Sequence, residues 1–221
     1  MYYIEKDNIV IGTNEDREEF IAILKYRPDL KEEDIKEVPE GYIAIVGKEL
    51  ITQEEYQTEQ EQAERERISL LNMTGADVER AIYKVKGIDF DDILAMVKNN
   101  PAIDEKALKI EFKANNFFRG NPYIEQVGSL LGFTSEMLDK FFETKDYHYL
   151  TTCKLTINAT PIEATVTGAG SYPYGTLVDY KVELEGYKPY IGSVELLEDT
   201  ELNIKLEKIE EVVYENTTSI E

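Results

Sequence analysis

Apolar residues change their spacing twice along this chain, and each change marks a new kind of element. At the start, Tyr2, Ile4, Ile9 and Ile11 lie on two short stretches around Lys6-Asp7-Asn8, a pattern that predicts a hairpin. Asn14 or Thr13 is then placed to cap a helix through Phe20, Ile21 and Leu24. That helix should stop before Pro28, because a residue preceding proline disfavours the helical region. Glu37-Val38-Pro39-Glu40-Gly41 predicts a turn, Tyr42, Ile43, Ile45 and Val46 a further strand, and Leu50-Ile51 its return. Residues 1–51 therefore predict a small α/β unit, a mini-sheet with one helix.

From Thr52 the apolar residues almost vanish. Residues 52–71 predict a polar linker helix with a Thr52/Glu55 capping box and apolar side chains only at Tyr56, Ala63, Ile68, Leu70 and Leu71. A helix polar on all sides is either an arm through solvent or a weakly seamed strand of an oligomeric bundle. The missing heptad repeat favours the arm.

Residues 72–148 then carry apolar residues at helical spacing, punctuated by caps. Thr74 precedes a stripe of Val78, Ala81, Ile82 and Val85 that Gly87 should end. Asp89 precedes Ile93, Leu94, Met96 and Val97, with Pro101 beyond. A third helix is predicted on Ala107, Leu108, Ile110 and Phe112. Asn121-Pro122 opens a fourth, carrying Ile124, Val127, Leu130 and Leu131, and Thr134 a fifth, carrying Met137, Leu138, Phe141 and Phe142. Five short helices with one stripe each predict a compact helical bundle.

The second change falls near residue 150. Over 150–208 the apolar positions alternate: Leu155, Ile157 and Ala159; Ala164 and Val166; Val178, Tyr180, Val182 and Leu184; Val194 and Leu196; Leu202, Ile204 and Leu206. Turns are predicted at 168–170, 185–186 and 198–199, so this region predicts an all-β sandwich. Residues 209–221 read as an acidic tail that could begin with one more strand. The fold class is thus a multidomain α+β chain.

Charge narrows the partners. The 221 residues hold 45 acidic and 24 basic side chains, a formal net charge of -21. That sign argues against a nucleic-acid backbone or an anionic membrane surface as partner. No stretch approaches the ~18 apolar residues of a membrane span, and the N-terminus lacks the basic and apolar regions of a signal peptide. Cys153 is the sole cysteine, which excludes an intrachain disulfide, and His148, between Tyr147 and Tyr149 in the sequence, is the sole histidine and is expected to be an interdomain packing residue.

Candidate chemistry is sparse. Asp89, Asp91 and Asp92 form an acidic cluster without the spacing of a calcium loop and read better as a helix cap with first-turn acids. Gly168-Ala169-Gly170 lacks the strand-to-helix setting of a dinucleotide loop. The run from Val127 to Ser135 resembles the turn of a helix-turn-helix, but the following helix offers Glu136, Asp139, Glu143 and Asp146 against Lys140 and Lys145, a sign that repels phosphate. No catalytic residue, metal ligand or cofactor is expected, and a nucleophile, a base and an orienting group do not assemble from this inventory. Tyr172 and Tyr174, at a Tyr-Pro-Tyr-Gly turn, are candidate contact residues together with Tyr187 and Tyr190. Exposed tyrosines stack on sugars or fill a partner's pocket, and they equally well cover the end of a core.

Two resemblances add context. The motif Phe117-x-Arg119-Gly120-Asn121-Pro122-x-Ile124, with the stretch Leu131 to Phe142, is similar to a helical region of structural or accessory proteins encoded among the tail genes of tailed bacteriophages and prophages. The strand hairpin, the EVPEGY turn and the Glu/Gln-rich helix at the front share that likeness. The last region resembles PEGA-type and related Ig-like modules, through Leu155-Thr156-Ile157, Pro161 to Val166 and the turn Glu185-Gly186-Tyr187-Lys188. It departs from them at Ile162 and Glu163. The resemblance implies a C-terminal Ig-like β-sandwich for display or weak glycan adhesion, and a virion assembled in the bacterial cytoplasm. Partners would be other virion or tail proteins in multiple copies, and a host-surface glycan. The expected function is a non-enzymatic structural virion protein of the tail. The alternatives are a tail assembly chaperone absent from the mature particle, its acidic charge masking a basic partner, and a bacterial interaction protein with no particle.

Overall fold

A computed structural model describes residues 1–98 and 100–209. Two compact units result, Met1–Arg67 and Ile68–Glu221. The expected acidic tail falls, from residue 210 onward, outside the described residues.

In the first unit, β1 (Tyr2–Lys6) and β2 (Ile9–Asn14) form the predicted hairpin. Asp7 and Asn8 take φ of 53° and 66°, the left-handed pair that matches a two-residue turn to strand twist. The helix α1 (Arg17–Leu24) is capped two residues later than predicted. β2 stays paired as far as Asn14, opposite Tyr2, so Asp16 becomes the cap and accepts from the Glu18 and Glu19 amides at 2.7 and 3.1 Å. A 3-10 turn at Glu32–Asp34 leads to β3 (Lys36–Glu37), which joins β1 in the order β2-β1-β3. The strands β4 (Tyr42–Ile43) and β5 (Ile51–Thr52) form a separate pair, so the predicted mini-sheet is two sheets. Tyr3, Ile4, Val10, Phe20 and Ala44 are buried. The helix α2 (Gln53–Ser69) buries none of its residues. Its capping box is formed: Glu55 Oε2 accepts from the Thr52 amide at 2.8 Å, and Thr52 Oγ1 from the Glu55 amide at 3.1 Å.

The second unit contains two apolar cores. Around the first lie β6 (Asn72–Thr74), α3 (Gly75–Lys86), α4 (Phe90–Val97), α5 (Glu105–Glu111), β7 (Asn116–Phe118), α6 (Pro122–Leu130) and α7 (Ser135–Thr144). Thr74, Asp89, Asn121 and Thr134 cap α3, α4, α6 and α7 as predicted. Asp104 caps α5. Gly87 ends α3 at φ 72°, where a β-carbon would be strained. Two predicted core residues face solvent instead: Met96 on α4 and Ile110 on α5 are exposed. α4 has eight residues and α5 seven, so each turns few side chains inward: Phe90, Ile93 and Val97 on one, Leu108 on the other. Phe112 closes this side by stacking on Phe90 at 4.2 Å between ring centres. The pairing of β6 with β7, Met73 opposite Phe117, has no counterpart in the predicted bundle.

After a 3-10 turn at Tyr147–Leu150, the remaining strands are β8 (Thr152–Thr160), β9 (Thr165–Thr167), β10 (Gly170–Pro173), β11 (Thr176–Glu183), β12 (Tyr190–Leu196) and β13 (Thr200–Lys205). They form two three-stranded sheets, β10-β8-β13 and β12-β11-β9. β8 and β13 pair in parallel, which ties the two ends of the region together. Leu155, Ile157, Val178, Val182, Leu196, Ile204 and Leu206 make one buried cluster drawn from both sheets, as alternation predicts.

Candidate functional site

The candidate tyrosines do not form one surface. Tyr172 lies on β10 with its hydroxyl donating to the Gly168 carbonyl at 2.8 Å, and its ring is half-buried against the sheet core. Tyr174 opens the turn before β11, whereas Tyr190 begins β12 opposite Val182, near the far end of β11. Seven to eight residues of extended chain separate them, ~25 Å. Tyr187 is half-buried on the core, where its backbone bridges to Lys208. Only Tyr190 of the four is exposed, and its ring stacks on that of Tyr180 with centres 6.2 Å apart.

Tyr174 belongs to an aromatic junction between the helical and strand regions. The ammonium of Lys84 lies 4.3 Å from the centre of the Tyr147 ring, Tyr147 stacks on His148 at 4.1 Å, and His148 lies 5.4 Å from Tyr174. Tyr149 meets Tyr174 edge-on at 5.2 Å. Gly175 makes the approach possible: a β-carbon there would sit 3.0 Å from the Tyr149 ring. Burial pushes the Tyr174 hydroxyl above its ordinary pKa. His148 contacts the Tyr147 and Tyr174 rings as an interdomain packing residue would, but its side chain stays 48% exposed. Its Nδ1 lies 2.6 Å from Asp146 Oδ1, and Asp146 also accepts from the His148 amide at 3.0 Å. That backbone hydrogen bond holds the Asp146 carboxyl below the usual range.

The residue that organises the helical region is Arg119, one position in the motif from Phe117 to Ile124. It is buried, and its Nη2 donates to Glu125 Oε2 at 2.9 Å and to Ser135 Oγ at 2.7 Å. Its Nε faces Asp139 Oδ1 at 2.6 Å as an ion pair without a hydrogen-bonding angle. One guanidinium thus ties β7 to α6 and to the first turns of α7. Asp139, read from sequence as one of the acids on a groove-facing helix, is spent on this contact. The adjacent Gly120 lies against Ser69, where a β-carbon would approach the Ser69 β-carbon to 2.9 Å. Gly128 lets α6 and α7 cross closely, since a β-carbon would meet Leu138 Cδ1 at 2.5 Å. The turn that resembles a helix-turn-helix is accounted for by this packing.

The acidic cluster on α4 is a reciprocal cap. Asp89 Oδ1 accepts from the Asp92 amide at 2.9 Å and Asp92 Oδ2 from the Asp89 amide at 3.1 Å. Among the described residues no group of three His, Cys, Asp or Glu side chains could hold a metal ion. The helical core encloses an apolar cavity of about 40 Å³, room for a few small groups and far below the ~300 Å³ of a ligand site. No helix among the described residues is long and apolar enough to cross a membrane. Cys153 is buried in the strand core, and burial raises its thiol pKa, which disfavours the reactive thiolate.

What the sheets do expose is apolar surface. Leu177, Ile191 and Leu197 are 68%, 71% and 52% exposed, and Tyr190 is 47% exposed. Comparisons with protein-family models, with curated proteins and with solved structures find no match to this chain.

Proposed function

We propose that this chain is a non-enzymatic structural protein of a phage or phage-like particle, associated with its tail, whose C-terminal strand region is an Ig-like, PEGA-like module turned outward for surface contact. The observation that carries this reading is the division of labour between side chains. The helical region spends its polar motifs on caps and on the Arg119 lock. The strand region keeps its own core and still leaves Leu177, Tyr190, Ile191 and Leu197 in solvent. Apolar side chains left in water on a region with its own core suit contact with another surface rather than turnover of a small molecule.

Tyr190, stacked on Tyr180, is the candidate for sugar contact. Tyr172 and Tyr174 are engaged in covering the core and in the aromatic junction. The runner-up, a tail assembly chaperone that masks a basic partner, is favoured by the net charge of -21. Quantitative mass spectrometry of purified particles separates the two. A structural protein is present at a fixed copy number per particle. A chain found only in lysates of assembling cells and absent from finished particles would make it the chaperone.

A further inference from the structure

Two long strands end the C-terminal sheets, and they differ in kind. β13, six residues, edges its sheet with Glu201, Asn203 and Lys205 outward, and Asn158 Nδ2 donates to Glu201 and Asn203 at 2.6 and 3.1 Å. Charge on an edge is a common defence against unwanted strand pairing. β12, seven residues, edges the other sheet: one side is paired to β11 along its whole length, and among the described residues no strand lies on the other. It contains neither lysine nor proline. Its solvent-facing positions are Ile191, Ser193 and Glu195, and Leu177 lies beside Glu195 on β11. A seven-residue edge with no lysine, no proline and one charged side chain is a template for another strand.

We propose that the free edge of β12 pairs antiparallel with β12 of a second copy of this chain, about a twofold axis at Ser193. The sequence is self-complementary in that register. Tyr190 falls opposite the partner's Leu196, Ile191 opposite the partner's Glu195, and Ser193 opposite the partner's Ser193. No charge faces its own kind across the ladder, where like charges destabilise. Past the ends of the strand the same register brings Lys188 towards the partner's Glu198 at both ends of the interface. Lys188 is exposed and its present contact is a surface pair with Glu207 at 3.3 Å. The nearest acids facing each other across the interface on the outer face, Asp179 and the partner's Glu195, are two strand spacings and two residues apart, ~12 Å, beyond the ~8 Å screening length at physiological salt. A small residue on the axis removes the remaining steric conflict, since Ser193 points its hydroxyl to Asp179 Oδ1 at 2.5 Å on its own sheet.

One strand pair is a small interface, so the expected affinity is that of a transient pair, between about 1 µM and 1 mM. Many copies held on one particle would make such contacts effective together. The interface gives the multiple copies of the proposed function a surface, but it does not need the particle: its failure leaves the virion reading intact, and absence from particles leaves the interface intact. Two chains of net charge -21 also repel, so pairing should tighten between about 20 and 150 mM salt as that repulsion is screened.

Sedimentation of the full chain up to about 1 mM tests this. The parent protein should pass from monomer to dimer. Ile191→Lys should weaken the dimer at least tenfold with an unchanged circular dichroism spectrum and melting temperature. Oxidation tests the register. Ser193→Cys should cross-link rapidly on the twofold axis, and Ile191→Cys, ~13 Å from its mate, should not. A parent protein that stays monomeric at about 1 mM in 150 mM salt overturns the proposal. So does an Ile191→Lys variant that dimerises like the parent, or an Ile191→Cys variant that cross-links as fast as Ser193→Cys.

Discussion

The helical and strand cores of the second unit use their sequence in opposite ways. Between residues 72 and 150 the distinctive residues point inward. Phe141 and Phe142 meet edge-on at 5.6 Å, Phe90 and Phe112 stack, and Arg119 satisfies two carboxylates and a serine. Its exposed apolar residues, Tyr83, Met96, Ile110 and Phe118, lie on four different elements. Between residues 152 and 209 the core is a plain alternation of aliphatic side chains, and of the exposed apolar residues Ile162 and Ile209 lie outside the strands, while Leu177 and Ile191 lie on the outer face of two neighbouring strands, Tyr190 on their other side and Leu197 just beyond. The contrast teaches where function is to be sought. In the helical region unusual residues explain folding, and in the strand region ordinary residues in an exposed place call for a partner.

The largest expected effects ask whether the two cores are independent. Phe141→Ala and Leu196→Ala should each cost about 2–5 kcal/mol, because each removes a fully buried side chain. The aromatic junction of Tyr149 with Tyr174 couples the cores, so either change should lower a single transition. Loss of helical circular dichroism and labelling of the buried Cys153 thiol should then coincide on heating. Labelling of Cys153 well after the helical signal has gone would split the cores and break the comparison.

Arg119→Ala comes next, at about 1–3 kcal/mol, since it strips partners from Glu125 and Asp139, which water can partly replace. Arg119→Lys should recover only part of this, because an ammonium cannot reproduce the planar fork. Full recovery with lysine would reduce the lock to simple charge.

The smallest effect is electrostatic. The Asp146 carboxyl is depressed in the folded chain, so it adds stability above its unfolded pKa of ~3.9 and loses it as pH falls through the folded value. The difference in melting temperature between the parent and Asp146→Asn should be present at pH 6 and shrink below about pH 4. A difference that grows on acidification would contradict the assigned hydrogen bond.

Much of this architecture was legible because its signals are local. Thr74, Asp89, Asn121 and Thr134 cap the helices that follow them, and the alternation from Leu155 to Leu206 places each strand's inner face. What escaped notice depends on partners distant in sequence. β6 and β7 are three residues each, too short to show a period, and they meet only because the chain between them folds back. Asp16 replaces Asn14 as a cap because Tyr2 keeps Asn14 in the sheet. Candidate contact residues were the least legible: a tyrosine at a turn reads the same whether it faces solvent or, like Tyr174, a neighbouring ring. The outward side chains of β12 were visible as alternation, but that β12 ends its sheet is a property of strand order, which no local pattern encodes.

The proposed function requires this chain to be a particle component that presents its strand region outward. A reconstruction of the purified particle tests it most directly. Symmetry-related copies on the tail are expected, with the sheets of residues 152–209 at the outer radius. Particles that lack the chain, or that bury those sheets against the tail interior with the helices outermost, would contradict it.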